Sequence, residues 1–538
     1  MLVKDWIAVI SKFGSKVKKQ FESVYGDDPG LIEDRRQAYL AILNKFGEKY
    51  GLDREIVICR SPSRVNLKGV HIEHRGGFVN YLTHCREIII AASPRNDDKV
   101  CLTNLRTELF PAREFSIQAE LNKGNWKDWW EYITAPAVIK TVSESQGDWI
   151  NYVKSAILRL QSRFPSKPLK GMDVYVNGDI PFAAGLSSSS ALVVATVYVG
   201  LEINRLQLDK FAMVELCGQA EWYVGTRGGA GDHAAMILGR RNYLAHIQFF
   251  PLQVQYYSFP KGYRIVICNS MQQATKSKEV KNIFNSRVAA YELGFLLIKK
   301  YFPQYAPELQ HLRDVNTTQL AIPETEVYHI LKSLPKKIFR AEVEQLLPDK
   351  KDYLANIFKT HDEPIEGYRV RDICLFGLAE CERGKICIEF LVKKDIVGFG
   401  KLMYISHNGD RVVEYKANNL KISWNNQVTV ATLDQLIADL DSNLPERIES
   451  AHLYLQPGGY RCSSEALDYL VDIAKQVPGV VGAGLTGAGL GGCILVLVEE
   501  KEVDRLLAIM AEQYYTPHQL SFGAEIGVSV SGAGRVIV

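Results

Sequence analysis

Four consecutive serines, Ser187–Ser190, stand between two stretches of opposite character. Before them, Met172–Val176 alternates in polarity, which predicts a β-strand followed by a loop of small residues. After them, Ala191–Leu201 is apolar throughout and predicts a buried helix. The first N–H groups of a helix lack partners and carry the positive end of its dipole, so this arrangement predicts a cradle for an anion such as phosphate. The alternative is a serine-rich loop and helix cap that bind no ligand.

A second small-residue segment, Gly484–Cys493, contains the pattern GxGxxG. A dinucleotide-binding loop of this pattern requires a strand before it and a helix after it. Here the sequence predicts a helix before the loop, at Ser463–Val477, and a strand after it, at Cys493–Val498. We therefore expect a loop whose backbone approaches a ligand or another loop closely, or simply a tight turn. The sequence also lacks a GxxxxGK(S/T) motif, which excludes a Walker-type nucleotide site.

Two further segments concentrate polar side chains. Ser61–Gly77 begins within Glu55–Asn66, which is predicted as a strand that runs into a loop, and it gathers histidines and charged residues. These side chains predict a polar hydrogen-bonding pocket rather than a metal site, because no third cluster of ligands is evident. In Gly225–His233, the single acid Asp232 ends a glycine-rich loop and could serve as a general base toward a hydroxyl. The alternative is an ordinary helix-capping aspartate.

Length and composition indicate a globular protein of two or three domains, with 538 residues of which 47% are apolar. The 64 Lys+Arg nearly balance 61 Asp+Glu, which argues against a broad nucleic-acid-binding face. Ten cysteines without a CxxC pair predict reduced thiols in a cytoplasmic protein. We find neither a signal peptide nor an apolar run of the roughly 18 residues that a membrane helix needs.

The predicted elements divide the chain near residue 255. We expect an N-terminal domain at 1–255, which begins with a helical extension over residues 1–50. A C-terminal domain at 256–538 opens with the predicted strand Tyr263–Asn269. It contains a helical insertion at about 300–400, which could dimerise, cover a cleft or bind a regulator.

The four polar and glycine-rich segments, in this order, resemble the GHMP kinase superfamily and within it the galactokinases. The galactokinase signature GRVNLIGEHTDYxGG is similar to Ser63–Gly77, and the phosphate loop GxGLSSSA is similar to Ala183–Ser190. VGxxCGxMDQ is similar to Val224–His233, and MTGGGFGGC to Leu485–Cys493. The resemblance implies a two-domain α+β fold with the active site in the cleft between the domains. It also implies phosphoryl transfer from ATP to the anomeric hydroxyl of galactose or a related sugar.

The resemblance assigns roles by position. Asp232 would take or orient the proton of the sugar hydroxyl, and Arg64 would keep Asp232 ionised and stabilise the transferring phosphoryl group. Ser189 and Glu221 would bind Mg²⁺, although the segment after Glu221 is one residue shorter than in galactokinases. The residues implied in ATP binding are Ala183, Ala184, Gly185, Leu186, Ser187, Ser188, Ser189, Gly487 and Gly489. The residues implied in sugar binding are Val70, His71, Glu73, His74, Gly231 and Phe284.

One departure from the galactokinase pattern concerns the substrate. Val70 stands where galactokinases have a glutamate facing the C6 hydroxyl, so that acceptor and its negative charge are lost. Gly69–Gly77 is also more similar to the GAHIDHxGG motif of plant galacturonokinases. We therefore hypothesise a uronic acid such as galacturonate, or another non-galactose sugar. Arg75 or Lys68 could pair with its carboxylate, although the interpretation we prefer is that both are solvated at the surface.

Two other functions compete with a sugar kinase. A catalytically silent, galactokinase-like sensor would bind sugar and ATP without turnover. Such a protein would tend to lose residues of the phosphate loop or the base, whereas Arg64, Ser187–Ser189 and Asp232 are all present here. Ser190, where the family usually has alanine, is a departure in that loop. A kinase for a non-sugar alcohol such as mevalonate or homoserine would not need the sugar-binding motif.

Overall fold

The computed structural model describes residues 1–182, 184–225, 228–272, 278–416 and 420–537. The strands, in chain order, are β1 (Val57–Lys68), β2 (Val79–Pro94), β3 (Lys99–Asn104), β4 (Arg113–Ser116), β5 (Met172–Gly178), β6 (Tyr243–Gln248), β7 (Gln253–Ser258), β8 (Tyr263–Asn269), β9 (Val413–Tyr415), β10 (Lys421–Ser423), β11 (Val480–Leu485), β12 (Cys493–Glu499), β13 (Ala524–Ile526) and β14 (Gly534–Arg535). The α-helices are α1 (Val3–Lys12), α2 (Ser15–Tyr25), α3 (Pro29–Tyr50), α4 (Ile117–Leu121), α5 (Trp129–Thr134), α6 (Pro136–Glu144), α7 (Ile150–Arg163), α8 (Ser188–Asn204), α9 (Lys210–Glu221), α10 (Gly231–Leu238), α11 (Lys278–Tyr301), α12 (Thr317–Leu320), α13 (Glu324–Ser333), α14 (Arg340–Leu346), α15 (Lys351–Phe358), α16 (Val370–Val392), α17 (Ile396–Asp410), α18 (Val430–Leu440), α19 (Pro445–Ala451), α20 (Glu465–Lys475) and α21 (Val503–Met510).

The first sheet has the strand order β14-β1-β2-β5-β3-β4, and the β6–β7 hairpin pairs with one end of β2. Neighbouring strands run antiparallel except β3 and β5, which are parallel. Helices α7 and α8 cover one face of this sheet and supply much of the largest apolar core. Since α8 has no polar face, it is buried nearly all round.

The N-terminal helices α1–α3 cover the opposite face of the same sheet. Ile89 and Ala91 of β2 pack with these helices, whereas Ile88, Ile90 and Ala92 face the core formed with α7 and α8. Successive side chains of a strand point to opposite faces, so the uninterrupted apolar run of β2 reflects a sheet that is covered on both sides. The helical extension predicted for residues 1–50 is confirmed, and it forms an outer layer of the first sheet.

The second sheet is antiparallel, with the strand order β11-β12-β8-β13, and it packs with α20 and α21 around a core of its own. Helices between α11 and α18 form a further apolar cluster, which confirms the helical character predicted for residues at about 300–400. The mixed α+β class is likewise confirmed. The domain boundary at residue 255 stays a prediction. It falls in β7, which pairs in the first sheet, while β8 opens the second sheet. Near the C-terminus, β14 returns to pair with β1.

The glycine-rich segment near the C-terminus requires one correction. It connects β11 to β12, so the element directly before it is a strand and not the predicted helix. The sequence Val480–Leu485 conceals this strand because two of its six residues are glycines. A strand follows the loop as predicted, so the dinucleotide-binding interpretation still fails.

No helix in the part of the chain that the structure describes combines the length and the apolar character that crossing a membrane requires.

Candidate active site

A buried arginine joins the serine-rich loop to the loop that carries Asp232. Arg64, on β1, donates from Nε to Asp232 Oδ1 at 2.7 Å and from Nη2 to Asp232 Oδ2 at 2.8 Å. Its third nitrogen, Nη1, donates to the carbonyl oxygen of Gly185 at 2.7 Å. A planar guanidinium matches a carboxylate in this two-bond geometry. One side chain therefore sets the distance between the acid and the serine-rich loop.

Asp232 lies in the first turn of α10 and does not cap that helix. Burial raises the pKa of Asp232, but the Arg64 guanidinium and a hydrogen bond from Ser187 Oγ outweigh it and hold the pKa below its usual range. The carboxylate is consequently ionised at neutral pH. With a side chain 28% exposed, it can still be reached by a ligand.

The N-terminus of α8 is arranged to receive an anion. Ser187 precedes the helix with φ +59°, and its hydroxyl bonds to Asp232. No side chain of the described residues caps the first N–H groups of α8. These groups are thus left for a ligand at the positive end of the helix dipole. Ser188 and Ser189 are half-buried at this end, whereas Ala183 lies outside the described residues.

Glu221, the last residue of α9, lies at the same end of α8. Its Oε1 accepts a hydrogen bond from Ser190 Oγ at 2.9 Å and is 3.7 Å from His233 Nε2. The serine that contacts Glu221 is therefore Ser190, and the metal-binding role assigned to Ser189 stays a prediction. In the regions that the structure describes, no group of three or more His, Cys, Asp or Glu side chains is arranged to hold a metal ion.

The two glycine-rich loops meet backbone to backbone. A Cβ added to Gly487 would lie 2.7 Å from the carbonyl oxygen of Gly185, and one on Gly492 would lie 2.8 Å from that of Ala184. Gly489 approaches Cys462 in the same way, with 2.0 Å between its virtual Cβ and the carbonyl oxygen. Of the alternatives left by the sequence, close approach to another loop is the one observed. Any contact of Gly487 and Gly489 with ATP stays a prediction.

The polar motif after β1 folds around the loop that carries Asp232. A Cβ added to Gly231 would lie 2.7 Å from Tyr81 Oη, and one on Gly229 would lie 2.4 Å from the Glu73 side chain. Burial raises the pKa of Glu73, but the adjacent His74 outweighs it and the pKa is lowered. Glu73, His74 and Gly231 are thus brought together beside Asp232. Phe284 is half-buried on α11.

His71 occupies a polar cluster beneath this loop. Its ring stacks on Tyr460 with centroids 4.3 Å apart, and its Nε2 lies 3.5 Å from Asp410 Oδ2. Several buried polar atoms in and around the motif lack a hydrogen-bond partner among the described residues. They are Asn66 Oδ1, His71 Nε2, His74 Nε2, Tyr291 Oη, Asp410 Oδ2 and Tyr460 Oη. Buried polar groups normally have hydrogen-bond partners. This cluster of unpaired polar atoms therefore points to ordered water or to a ligand with many hydroxyl groups.

The prediction that Lys68 and Arg75 are solvated at the surface is wrong. Lys68 is 2% exposed and donates from Nζ to the carbonyl oxygen of Leu402 at 2.7 Å. Arg75 has a side chain 13% exposed and forms an ion pair with Glu292 of α11. Both cations are engaged within the protein. Val70 is buried in the apolar cluster around α11 and α16.

Comparisons with known proteins match this arrangement. The family model described as "GHMP kinases N terminal domain" matches residues 151–240, and "GHMP kinases C terminal" matches residues 435–516. A third, the "Galactokinase galactose-binding signature", matches residues 44–94, which contain Arg64 and His71. The chain belongs to the galactokinase-like branch of the GHMP kinase superfamily. The superfamily resemblance drawn from the four motifs is confirmed.

Individual relatives of this GHMP kinase are similar over most of their length. A galactokinase of Dictyostelium discoideum is 26% identical over 502 residues, which are 90% of this chain and 89% of that protein. A galactokinase of a Roseiflexus species is 25% identical over 494 residues, 92% of this chain and 96% of that protein. The crystal structure of Lactococcus lactis galactokinase complexed with galactose superposes with a TM-score of 0.62 at 22% identity. It covers 92% of this chain and 98% of that one, which confirms the two-domain fold.

Sequence reasoning missed several residues of this GHMP kinase site. Tyr81 lies on β2, where its alternating neighbours gave no sign of a ligand. Asp410 and Tyr460 come from segments far along the chain that fold back against His71. Only the tertiary structure shows that these residues belong to the site.

Proposed function

We propose that this protein is an ATP-dependent sugar kinase that phosphorylates the anomeric hydroxyl of galactose or a related sugar. The observation that carries the proposal is the guanidinium of Arg64, which bonds both the acid Asp232 and the serine-rich loop at Gly185. The Arg64 side chain thereby holds Asp232, the proposed acceptor of the hydroxyl proton, close to the serine-rich loop proposed to bind phosphates. Phosphoryl transfer depends mainly on such positioning and on neutralisation of charge.

Each part of the site would contribute one element of the reaction. The open N–H groups of α8 would bind phosphate oxygens of ATP, and Arg64 would stabilise negative charge on the group being transferred. Asp232, ionised at neutral pH, would accept a hydrogen bond from the attacking hydroxyl and take its proton as the sugar oxygen bonds the γ-phosphorus of ATP, while the bond from that phosphorus to the ADP leaving group breaks. The remaining hydroxyls would pair with the unsatisfied atoms around His71 and His74.

We infer that Ser189 and Glu221 are the protein's contribution to Mg²⁺ binding. Mg²⁺ prefers six oxygen ligands and usually retains waters and substrate phosphates, so one carboxylate and one hydroxyl fit its needs. The ion would neutralise charge on the phosphates of ATP. Glu221 fits this role because it lies at the phosphate-binding end of α8, where its carboxylate already contacts Ser190.

The sugar is proposed to be neutral. The two cations considered as partners for a uronate, Lys68 and Arg75, bond to Leu402 and Glu292. Val70, in the same motif, is buried in the apolar cluster around α11 and α16 and provides no charge to pair with a carboxylate. We further infer a cytoplasmic enzyme, because all ten cysteines are unpaired and nine of them are buried.

The first test is ADP release by the purified protein with Mg²⁺-ATP and a panel of sugars. The panel holds galactose, galacturonate, glucuronate, fucose, arabinose and N-acetylgalactosamine. Turnover of a neutral sugar is the expected result. Preference for galacturonate would instead support the hypothesis drawn from Val70. Binding of sugar or ATP without turnover of any sugar would support the sensor.

The second test replaces the proposed base. Asp232→Asn should lower kcat by about 10³-fold or more while ATP binding is retained, because the amide cannot take the proton. A matched control is Asp209→Asn, since Asp209 caps α9 from an exposed position and asparagine caps equally well. Near-normal turnover by the Asp232 variant would remove that residue from the mechanism.

A further inference from the structure

The residues that bind the sugar in the proposed function include a turn with an unusual backbone. Gly69 has φ +85° and His71, which is not a glycine, has φ +63°. A left-handed conformation at His71 carries a conformational cost, so contacts from outside the turn must stabilise it. We call this segment the Gly69–His71 turn.

The external contacts come from α16. Glu380 Oε1 accepts hydrogen bonds from the backbone N–H of Gly69 at 2.9 Å and of Val70 at 3.2 Å. One carboxylate oxygen therefore bonds two consecutive amides of the turn. Hydrogen bonds to an ionised acceptor are among the stronger ones in proteins.

The carboxylate is itself held from the other side. Glu380 and Arg383 are both fully buried, and Arg383 Nε donates to Glu380 Oε2 at 2.6 Å. Arg383 Nη1 also donates to the carbonyl oxygens of Tyr454 at 3.1 Å and Gln456 at 2.6 Å. Burial raises the pKa of Glu380, but Arg383 and Lys68 outweigh it and the pKa is lowered. Glu380 is consequently ionised, and its carboxylate is held between Arg383 and the backbone amides of the turn.

Helix α16 also approaches the motif too closely for a side chain. A Cβ added to Gly384 would lie 2.2 Å from the carbonyl oxygen of Phe78 and 3.6 Å from the Cα of Gly69. Asn80 of β2 donates to the carbonyl oxygen of Gly384 at 2.9 Å. The helix is therefore held tightly against the motif, and the position of Glu380 follows from that contact.

We propose that Glu380 is a positioning residue for the sugar, acting by fixing the Gly69–His71 turn that orients His71, whose Nε2 is one of the unsatisfied atoms proposed to bind the sugar. This inference rests on the proposed sugar-kinase function. It also assigns a role to part of the helical region at 300–400, whose purpose the sequence left open.

The test distinguishes the loss of the hydrogen-bond acceptor at residue 380 from the loss of its negative charge. The double variant Lys68→Met/Glu380→Gln keeps an acceptor oxygen and removes one positive and one negative charge, so the net charge of the cluster is unchanged. The double variant Lys68→Met/Glu380→Leu makes the same change in charge but removes the acceptor. We expect the leucine variant to raise the KM for sugar at least tenfold relative to the glutamine variant. The KM for ATP should agree within twofold.

Equal KM values for sugar in the two double variants would overturn the proposal. If the leucine variant does not fold, hydrogen exchange of the peptide over residues 66–71 is compared between the wild-type protein and Glu380→Gln. Faster exchange there, without a change in a peptide over 188–204, is expected, and unchanged exchange would refute the inference. Failure of the proposed function itself is distinguishable, since the wild-type protein would then turn over no sugar.

Discussion

Replacing Arg64 by lysine keeps the positive charge but removes the planar fork. The guanidinium makes two bonds to Asp232 and one to Gly185, and an ammonium on a flexible stem cannot reach all three acceptors at once. Arg64→Lys therefore leaves Asp232 paired while releasing either its second oxygen or the serine-rich loop. The variant tests whether the site requires only the positive charge of Arg64 or also the planar geometry of its guanidinium.

The size of the effect follows from the bonds that are lost. Hydrogen bonds that involve a charged group contribute roughly 1.5–3 kcal/mol each. The loss of one such bond corresponds to about 1.5 kcal/mol or more, and hence to a kcat/KM at least ~10-fold lower. The pKa of Asp232 should also rise, because Arg64 and its hydrogen bonds are what lower it against burial. A carboxylate acts as a base only above its pKa, so the acidic limb of the pH–rate profile should move to higher pH.

The assay is coupled ADP release, with kcat/KM measured for the preferred sugar from pH 4 to pH 9. The matched control is Arg95→Lys, because Arg95 forms the same two-bond pair with Asp97 at 2.8 and 2.7 Å and a third bond, from Nη1 to Asp173 Oδ1, at 2.7 Å, away from the site. The control should retain activity within about twofold, because the bonds that it loses lie outside the site. A loss below fivefold in Arg64→Lys, with an unmoved acidic limb, would refute the reasoning that one rigid fork sets the site.

Two further substitutions test the neighbouring contacts. Ser187→Ala removes a hydrogen bond to the Asp232 carboxylate and should lower kcat/KM about tenfold while raising the pH of the acidic limb; an unchanged pH profile would show that Ser187 does not influence the base. Gly489→Ala places a methyl group 2.0 Å from the carbonyl oxygen of Cys462 at φ +77°, so the apparent Tm should fall by several degrees. The control Gly14→Ala, which meets no atom within 4 Å, should melt like the wild-type protein, and equal melting of the two variants would contradict the packing argument.

Much of the fold could be read from short-range patterns. The strand Tyr263–Asn269 was predicted with its observed bounds, and α8 and β5 were placed to within a few residues at either end. These elements have strong periodicity or uniform apolar character, which reports their burial directly. β11 was missed because glycines weaken both signals, and in the structure they are needed for close approach: a Cβ on Gly482 would lie 2.6 Å from the Cα of Gly400.

The site divides in the same way. Arg64, Asp232 and the serine-rich loop belong to local motifs, and the structure brings them together. The environments of Lys68 and Arg75 could not be read locally, since their partners Leu402 and Glu292 lie hundreds of residues away. A charged residue in a polar motif is usually solvated, and only long-range packing shows that these two are not.

The four serines at the start of α8 have two different kinds of partner. Ser187 bonds Asp232 and Ser190 bonds Glu221, so the outer members of the run each hold one carboxylate. Ser187 directly precedes α8 and Ser190 lies in its first turn, so both acids contact the same helix N-terminus. Ser188 and Ser189 remain half-buried between them at the end where N–H groups are uncapped. Ser190, a departure from the family's usual alanine, thus adds a hydroxyl that orients Glu221 without occupying the place proposed for phosphate.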